Sequence, residues 1–237
     1  MSTEPNFTWC DLSTFRPQVT KAFYNRLFDW RFDGSGDYEY AQIGDHQVGA
    51  IFMMPQKLQQ IGMPSFWMSY ASVQDVAATV AKARDLGGKI ELEDPAYALI
   101  RDPLGAGFTV HSGLRPPAPS GHGTRSGHAY FCSNLSEVAP FYRGLFGWQF
   151  TTHPDGWYEV RTRTDEVVAT ALELPDSERG TEQYWAVIFT VEDLNQAASI
   201  AHEAGAKSVT MTELPTGPAA MVFDPDNAVC FFSEAAG

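Results

Sequence analysis

The word Phe23-Tyr24-Asn25-Arg26-Leu27-Phe28-Asp29-Trp30 returns as Phe141-Tyr142-Arg143-Gly144-Leu145-Phe146-Gly147-Trp148, 118 residues later, with five of eight positions identical. Asp102-Pro103-Leu104-Gly105 returns as Asp224-Pro225-Asp226-Asn227, 122 residues on. Nearly equal offsets at two separate places mean that whole halves correspond, the signature of a duplicated unit. A chain of 237 residues is then expected to hold two copies of one domain, each long enough to bury its own core. The expected boundaries are residues 1–114, a proline- and glycine-rich linker over 115–126, and residues 127–237.

A formal charge of −13, from 29 acidic against 16 basic residues, repels phosphate backbones and anionic lipid. Neither nucleic acid nor a membrane surface is therefore an expected partner. Cys10, Cys132 and Cys230 are odd in number and form no CxxC, which argues against a disulfide framework or a cysteine zinc site. Met1-Ser2-Thr3-Glu4-Pro5 carries neither a basic nor an apolar targeting region, and no apolar run approaches membrane-spanning length, so the expected location is cytoplasmic.

Along the chain, Phe7–Leu12 is β-prone and Pro17 suits a helix entry, after which Val19, Ala22, Phe23 and Leu27 recur at helical spacing. Asp33–Gly36 is expected as a turn, Tyr38–Ile43 and Gln47–Met54 as a hairpin around Gly44-Asp45, and residues 55–64 as a loop. Phe66–Val73 opens a second module. Ser72-x-x-Asp75 reads as a capping box before a helix carrying Val76, Val80 and Ala83, which Gly87-Gly88 ends. Strands at Lys89–Leu92, Ala98–Arg101 and Gly107–Ser112 follow, with a type I turn at Asp102–Gly105. The second half repeats this plan through His128–Cys132, Val138–Phe146, Tyr158–Arg161, Val167–Leu174, a loop at Pro175–Glu182, Tyr184–Val191, a helix capped from Thr190-x-x-Asp193, and three final strands.

A β-α-β-β-β module used in pairs, with Phe-Tyr in its first helix and Asp-Pro-x-Gly/Asn before its last strand, resembles the vicinal oxygen chelate superfamily. That group includes glyoxalase I, extradiol dioxygenases and the bleomycin-resistance proteins. Trp9-x-Asp11-Leu12, Phe23-Tyr24 and Leu27-Phe28-x-Trp30 are also similar to a tandem glyoxalase-like subgroup. The resemblance implies an α+β fold: two tandem domains, each an open, curved, mixed β-sheet barrel with flanking helices.

It also implies where a divalent metal would sit, held by three His, Gln or Glu side chains that leave positions open for substrate oxygens. Counting from the matched words places those ligands at Trp9, Met68 and Thr109 in the first domain. In the second they fall at His128, with a one-residue deletion, Ala186 and Phe231. One imidazole among six positions does not make such a site, so the expectation is no metal and no cofactor. His46, His122, His153 and His202 show no ligand spacing.

Strand alternation turns Trp9, Asp11, Met68, Tyr70, Thr109 and His111 to one interior, with His128, Tyr130, Ile188 and Phe231 among their counterparts. Such aromatic and aliphatic walls suit a small aromatic or hydrophobic ligand, although they can equally fill a barrel as core. Asp11 and His111 are the candidate catalytic pair, each two residues beyond a lost ligand position, where a carboxylate could raise the basicity of an imidazole. The alternatives are a metal-dependent lyase, isomerase or dioxygenase of the same superfamily, a metal-free hydroxylase-like enzyme, and a structural module with filled barrels. A homodimer contact is allowed by the sequence and assigned to no surface.

Overall fold

A computed structural model describes residues 4–113, 119–175 and 183–235. The first module runs β1 (Phe7–Thr14), α1 (Pro17–Phe28), β2 (Arg31–Ser35), β3 (Tyr38–Ile43), β4 (His46–Met53) and a short helix α2 (Gln56–Gln60). The second runs β5 (Phe66–Ser72), α3 (Val76–Asp85), β6 (Lys89–Glu93), β7 (Tyr97–Arg101) and β8 (Gly107–His111). The third is β9 (Arg125–Cys132), α4 (Leu135–Phe146), β10 (Gln149–Thr152), β11 (Tyr158–Arg161) and β12 (Val167–Glu173). The fourth is β13 (Tyr184–Val191), α5 (Leu194–Glu203), β14 (Ser208–Leu214), β15 (Gly217–Phe223) and β16 (Val229–Glu234).

The strands form two open eight-stranded sheets, ordered β2-β3-β4-β1-β5-β8-β7-β6 and β10-β11-β12-β9-β13-β16-β15-β14. Both are mixed. The hairpins are antiparallel, while β1 with β4, β5 with β8, β9 with β12 and β13 with β16 run parallel. Each parallel pair is bridged by a helical crossover, as parallel pairing requires.

Two compact units group the modules differently from their order in sequence. One contains Met1–Trp9, Ser69–Pro116 and His128–Ala186, joining the second and third modules. The other contains Cys10–Met68, Pro117–Gly127 and Val187–Gly237, joining the first and fourth. Each has its own apolar core on the helix side of the strands. In the unit of the second and third modules Phe108, Val110, Tyr130, Phe141, Tyr142, Phe146, Trp148 and Trp185 pack together. In the other the core contains Cys10, Leu12, Phe23, Tyr24, Phe28, Trp30, Trp67, Phe189 and Phe232.

The five identical positions of the repeated word are the buried ones. Phe23, Tyr24, Leu27, Phe28 and Trp30 are core residues, as are Phe141, Tyr142, Leu145, Phe146 and Trp148. The tryptophans do the same job twice: Trp30 Nε1 donates to the Gly123 carbonyl at 2.9 Å and Trp148 Nε1 to the Pro5 carbonyl at 2.8 Å. Each indole thereby ties down the segment that leads into a first strand. Of the expected linker, 115–118 lie outside the described residues. Gly123 and Thr124 exchange backbone hydrogen bonds with Thr190, and β9 has begun at Arg125.

Three expectations change. Arg31–Ser35 is a strand, paired residue by residue with Tyr38–Gln42, so hairpin pairing overrides the local turn signal of Asp33-Gly34. Residues 56–60 of the expected loop are helical. The caps of α3 and α5 are Asp75 and Asp193, whose carboxylates accept the Ala78 and Gln196 backbone N–H groups at 2.9 and 2.8 Å, rather than Ser72 and Thr190. Ser72 and Thr190 are still in their strands, and the aspartate three residues on is the side chain that reaches the N3 amide. Most of the expected Pro175–Glu182 loop lies outside the described residues.

Candidate functional site

On the helix side of the strands, within each compact unit, the two repeated words meet. In the unit built from the second and third modules, Asp102 Oδ2 accepts the Tyr130 and Tyr142 hydroxyls at 2.6 and 2.8 Å, and Trp185 Nε1 donates to Tyr142 at 2.7 Å. Its Oδ1 accepts the backbone N–H groups of Leu104, Gly105 and Ala106. In the other unit Asp224 Oδ2 accepts the Tyr24 hydroxyl at 3.3 Å, and Trp67 Nε1 donates to Tyr24 at 3.0 Å. Leu12 occupies the place of Tyr130 there, so Asp224 has one phenol donor where Asp102 has two.

The titration behaviour follows. Burial raises the Asp102 carboxyl, and the two phenols and the backbone donors oppose that rise. With fewer donors, burial pushes Asp224 up to about 6. Burial also raises the Tyr24 and Tyr142 phenols well above their usual value and the Cys10 and Cys132 thiols to about 12. These thiols and phenols stay protonated, which suits a scaffold rather than a nucleophile.

The opposite, inner face carries the other candidates. In the unit of the second and third modules, Tyr70 stands beside Thr109 and Leu99 in register, and Ser72 beside His111 and Tyr97. The intervening Ala71, Val110 and Ala98 belong to the helix-side core, which fixes the faces. His111 is 7% exposed, its Nε2 lies 2.8 Å from Thr8 Oγ1, and its ring is 6.2 Å from that of Tyr70. Trp9 is buried in this unit and lies outside the helix-side core. In the unit of the first and fourth modules, Asp11 is 2% exposed and accepts the Tyr38 hydroxyl at 3.1 Å. Asp11, Ala50 and Tyr40 form one row across β1, β4 and β3. Met68 is buried outside the core, and Ile188 pairs with Phe231 in register. Asp11 and His111 thus fall in different compact units, each with a hydrogen-bond partner of its own.

His128 and Tyr130 do not take the inward place expected of them. The helix entries Pro17 and Leu135 are 118 residues apart, as are Trp67 and Trp185, and the carbonyls of Thr14 and Cys132 accept equivalent strand-end bonds from Met54 and Leu174. No residue is deleted between β9 and α4, so Gly127, not His128, stands where Trp9 stands. His128 turns to the helix side, its ring 4.2 Å from that of Phe7, and Tyr130 is wholly buried against Asp102. The inner-face neighbours on β9 and β13 are instead Phe131 and Tyr184, whose rings stack at 5.1 Å and 22°. Thr170, in register with Ala129 and Glu159, is also there, with a buried Oγ1 that has no protein hydrogen-bond partner among the described residues. Sequence alternation could have found Phe131 and Tyr184 had the offset of 118 been kept through the strand.

The six positions at which the superfamily's metal ligands would project are therefore Trp9, Met68 and Thr109, and Gly127, Ala186 and Phe231. None offers an imidazole, carboxylate or carboxamide, and no group of three or more His, Cys, Asp or Glu among the described residues could hold a metal ion. This donor set does not fit a divalent cation of that chemistry.

The fold and the paired modules define a tandem arrangement with the glyoxalase-type fold. Residues 125–230 match the Glyoxalase/Bleomycin resistance protein/Dioxygenase superfamily, to which this part of the chain is similar. The Mn(II)-bound glyoxalase of Novosphingobium aromaticivorans superposes with a TM-score of 0.66 at 13% identity, over 99% of this chain and 83% of that one. Two relatives match over 93% of this chain. The Mycobacterium tuberculosis protein named "Putative glyoxylase CFP32" is 28% identical, with 91% of its length covered. The anthracycline biosynthesis protein DnrV of Streptomyces peucetius is 25% identical, with 90% covered. No helix among the described residues is long and apolar enough to cross a membrane.

Proposed function

We propose that this chain binds a small aromatic or hydrophobic molecule against the inner faces of its sheets and does so without a metal ion. The observation that carries the proposal is the identity of the residues at the six ligand positions: an indole, a thioether, a hydroxyl, a glycine, an alanine and a phenyl ring. Chemistry that polarises vicinal substrate oxygens needs donors there. A flat apolar ligand needs walls: Trp9 supplies one in the unit of the second and third modules, and Met68 and Phe231 supply them in the unit of the first and fourth. Polar groups that would orient such a ligand stand nearby in each unit: His111 with Thr8 and Tyr70 in one, Asp11 with Tyr38 in the other. The relative named for anthracycline biosynthesis supports a polycyclic aromatic as the ligand class.

The test is a fluorescence titration with an uncharged hydroxyanthraquinone, with and without Mn(II). Saturable quenching at micromolar probe in EDTA, reduced by Trp9→Phe and weakened by Asp11→Asn, is the expected result. Absence of saturable quenching in EDTA, with binding appearing only when Mn(II) is supplied, would replace this proposal with the metal-dependent enzyme.

A further inference from the structure

Four strands end the two sheets: β2, β6, β10 and β14. A free sheet edge invites pairing with another chain, and natural edges are blunted by shortness, charge or a bulge. Three of these are blunted. The β6 edge carries Lys89, Glu91 and Glu93, and its register shifts between Ile90 and Leu92. Charged Arg31 and Asp33 sit on β2, which also contains Gly34 at φ 144°. Only four residues make up β10.

The fourth edge is different. Ser208-Val209-Thr210-Met211-Thr212-Glu213-Leu214 pairs with β15 at all seven positions without a register shift, and Glu213 is its one charge. No segment among the described residues pairs with its outer side. Met211 is 50% exposed. The extra length is local. The offset between the second and fourth modules is 118 residues at the caps Asp75 and Asp193, and 122 at Asp102 and Asp224. All four additional residues therefore lie in the β14–β15 hairpin. The fourth module has lengthened, straightened and largely discharged the edge that its counterpart keeps short, bulged and charged.

We infer that β14 is a homodimer interface, in which two copies of this chain pair β14 antiparallel across a two-fold axis at Met211 to make one continuous sheet. A two-fold axis perpendicular to the sheet preserves its faces, and centring it on Met211 uses all seven residues. Thr210 then lies opposite Thr212 of the second copy, Ser208 opposite Leu214, and Val209 opposite Glu213. The threonine pairs are favourable cross-strand neighbours, and the one charge is never opposite itself. Other edges do not offer this. Centring a self-pair on β6 would set Glu91 against Glu91.

Sedimentation equilibrium of the full chain at micromolar concentration tests the proposal, and a particle of twice 26.2 kDa is expected. Met211→Lys places two like charges in direct opposition and should raise the dissociation constant about tenfold or more, while circular dichroism and thermal unfolding of the monomer stay unchanged. Leu92→Lys on β6 should leave the dimer intact. Met211→Cys should give a reducible cross-linked dimer on oxidation, against a low background, because Cys10, Cys132 and Cys230 are all buried. A wild-type monomer would overturn the proposal. So would a dimer that Met211→Lys does not weaken and Met211→Cys does not cross-link, or open growth beyond a dimer.

Discussion

Tyr24 and Asp224 lie 200 residues apart in the chain and meet, hydroxyl to carboxylate, at 3.3 Å in a wholly buried setting. Tyr142 and Asp102 make the same contact at 2.8 Å. The two repeated words are therefore partners. The helix word of the first module closes on the hairpin word of the fourth, and that of the third on that of the second. A tryptophan from a further strand donates to each tyrosine, so each compact unit is pinned by one indole–phenol–carboxylate chain.

Removing the second phenol from Asp102 makes that site resemble Asp224. Tyr130→Phe should destabilise the protein by about 1–3 kcal/mol, because a buried carboxylate loses a donor that nothing replaces. Urea unfolding at pH 7 measures this. A loss below about 0.5 kcal/mol would mean that the Tyr130–Asp102 bond contributes little.

Asp224 carries a pH signature. Its folded value of about 6 lies above its ordinary 3.8, so the folded chain binds more protons than the unfolded chain between those values. The associated stabilisation is full below about pH 4 and is lost as pH rises through about 6, by at most about 3 kcal/mol. Asp224→Asn cannot titrate. In urea unfolding at pH 4.5 and 7.5, the wild type should lose more stability on going to the higher pH than the variant does. Equal changes in the two proteins would remove Asp224 from the account.

Gly88 sits where α3 and α4 approach. A Cβ there would lie 2.8 Å from Phe141 Cε2 and 3.0 Å from the Ala83 carbonyl oxygen. Gly88→Ala should therefore cost about 1–3 kcal/mol by overpacking. Its counterpart after α5 is Ala206, so Ala206→Gly should be far milder. Thermal unfolding of the pair checks the contrast.

The donor set at the six ligand positions predicts indifference to metal. Adding Mn(II) or Zn(II) after EDTA treatment should not shift the thermal midpoint, since an ion that binds only the folded state would raise it. A rise that saturates at about one ion per chain would expose a site elsewhere.

The duplication, the order of strands and helices, and the loss of metal-ligating residues at most positions were legible in the sequence, because they depend on local alternation and on words repeated at fixed spacing. The helix stripes of Phe23, Leu27, Phe141 and Leu145 needed only periodicity. Three things required the tertiary structure. Which face His128 and Tyr130 occupy turns on a one-residue offset, and a single-residue slip in a strand reverses every side chain. Which modules share a core depends on contacts such as Tyr24 with Asp224, between residues that no local rule connects. Arg31–Ser35 became a strand because Tyr38–Gln42 offered backbone partners, a stronger constraint than the turn preference of Asp33-Gly34. Sequence alone determined the kind of module and how many there are; only the long-range pairing of polar and apolar groups decided how those modules combine and which side chains face inward.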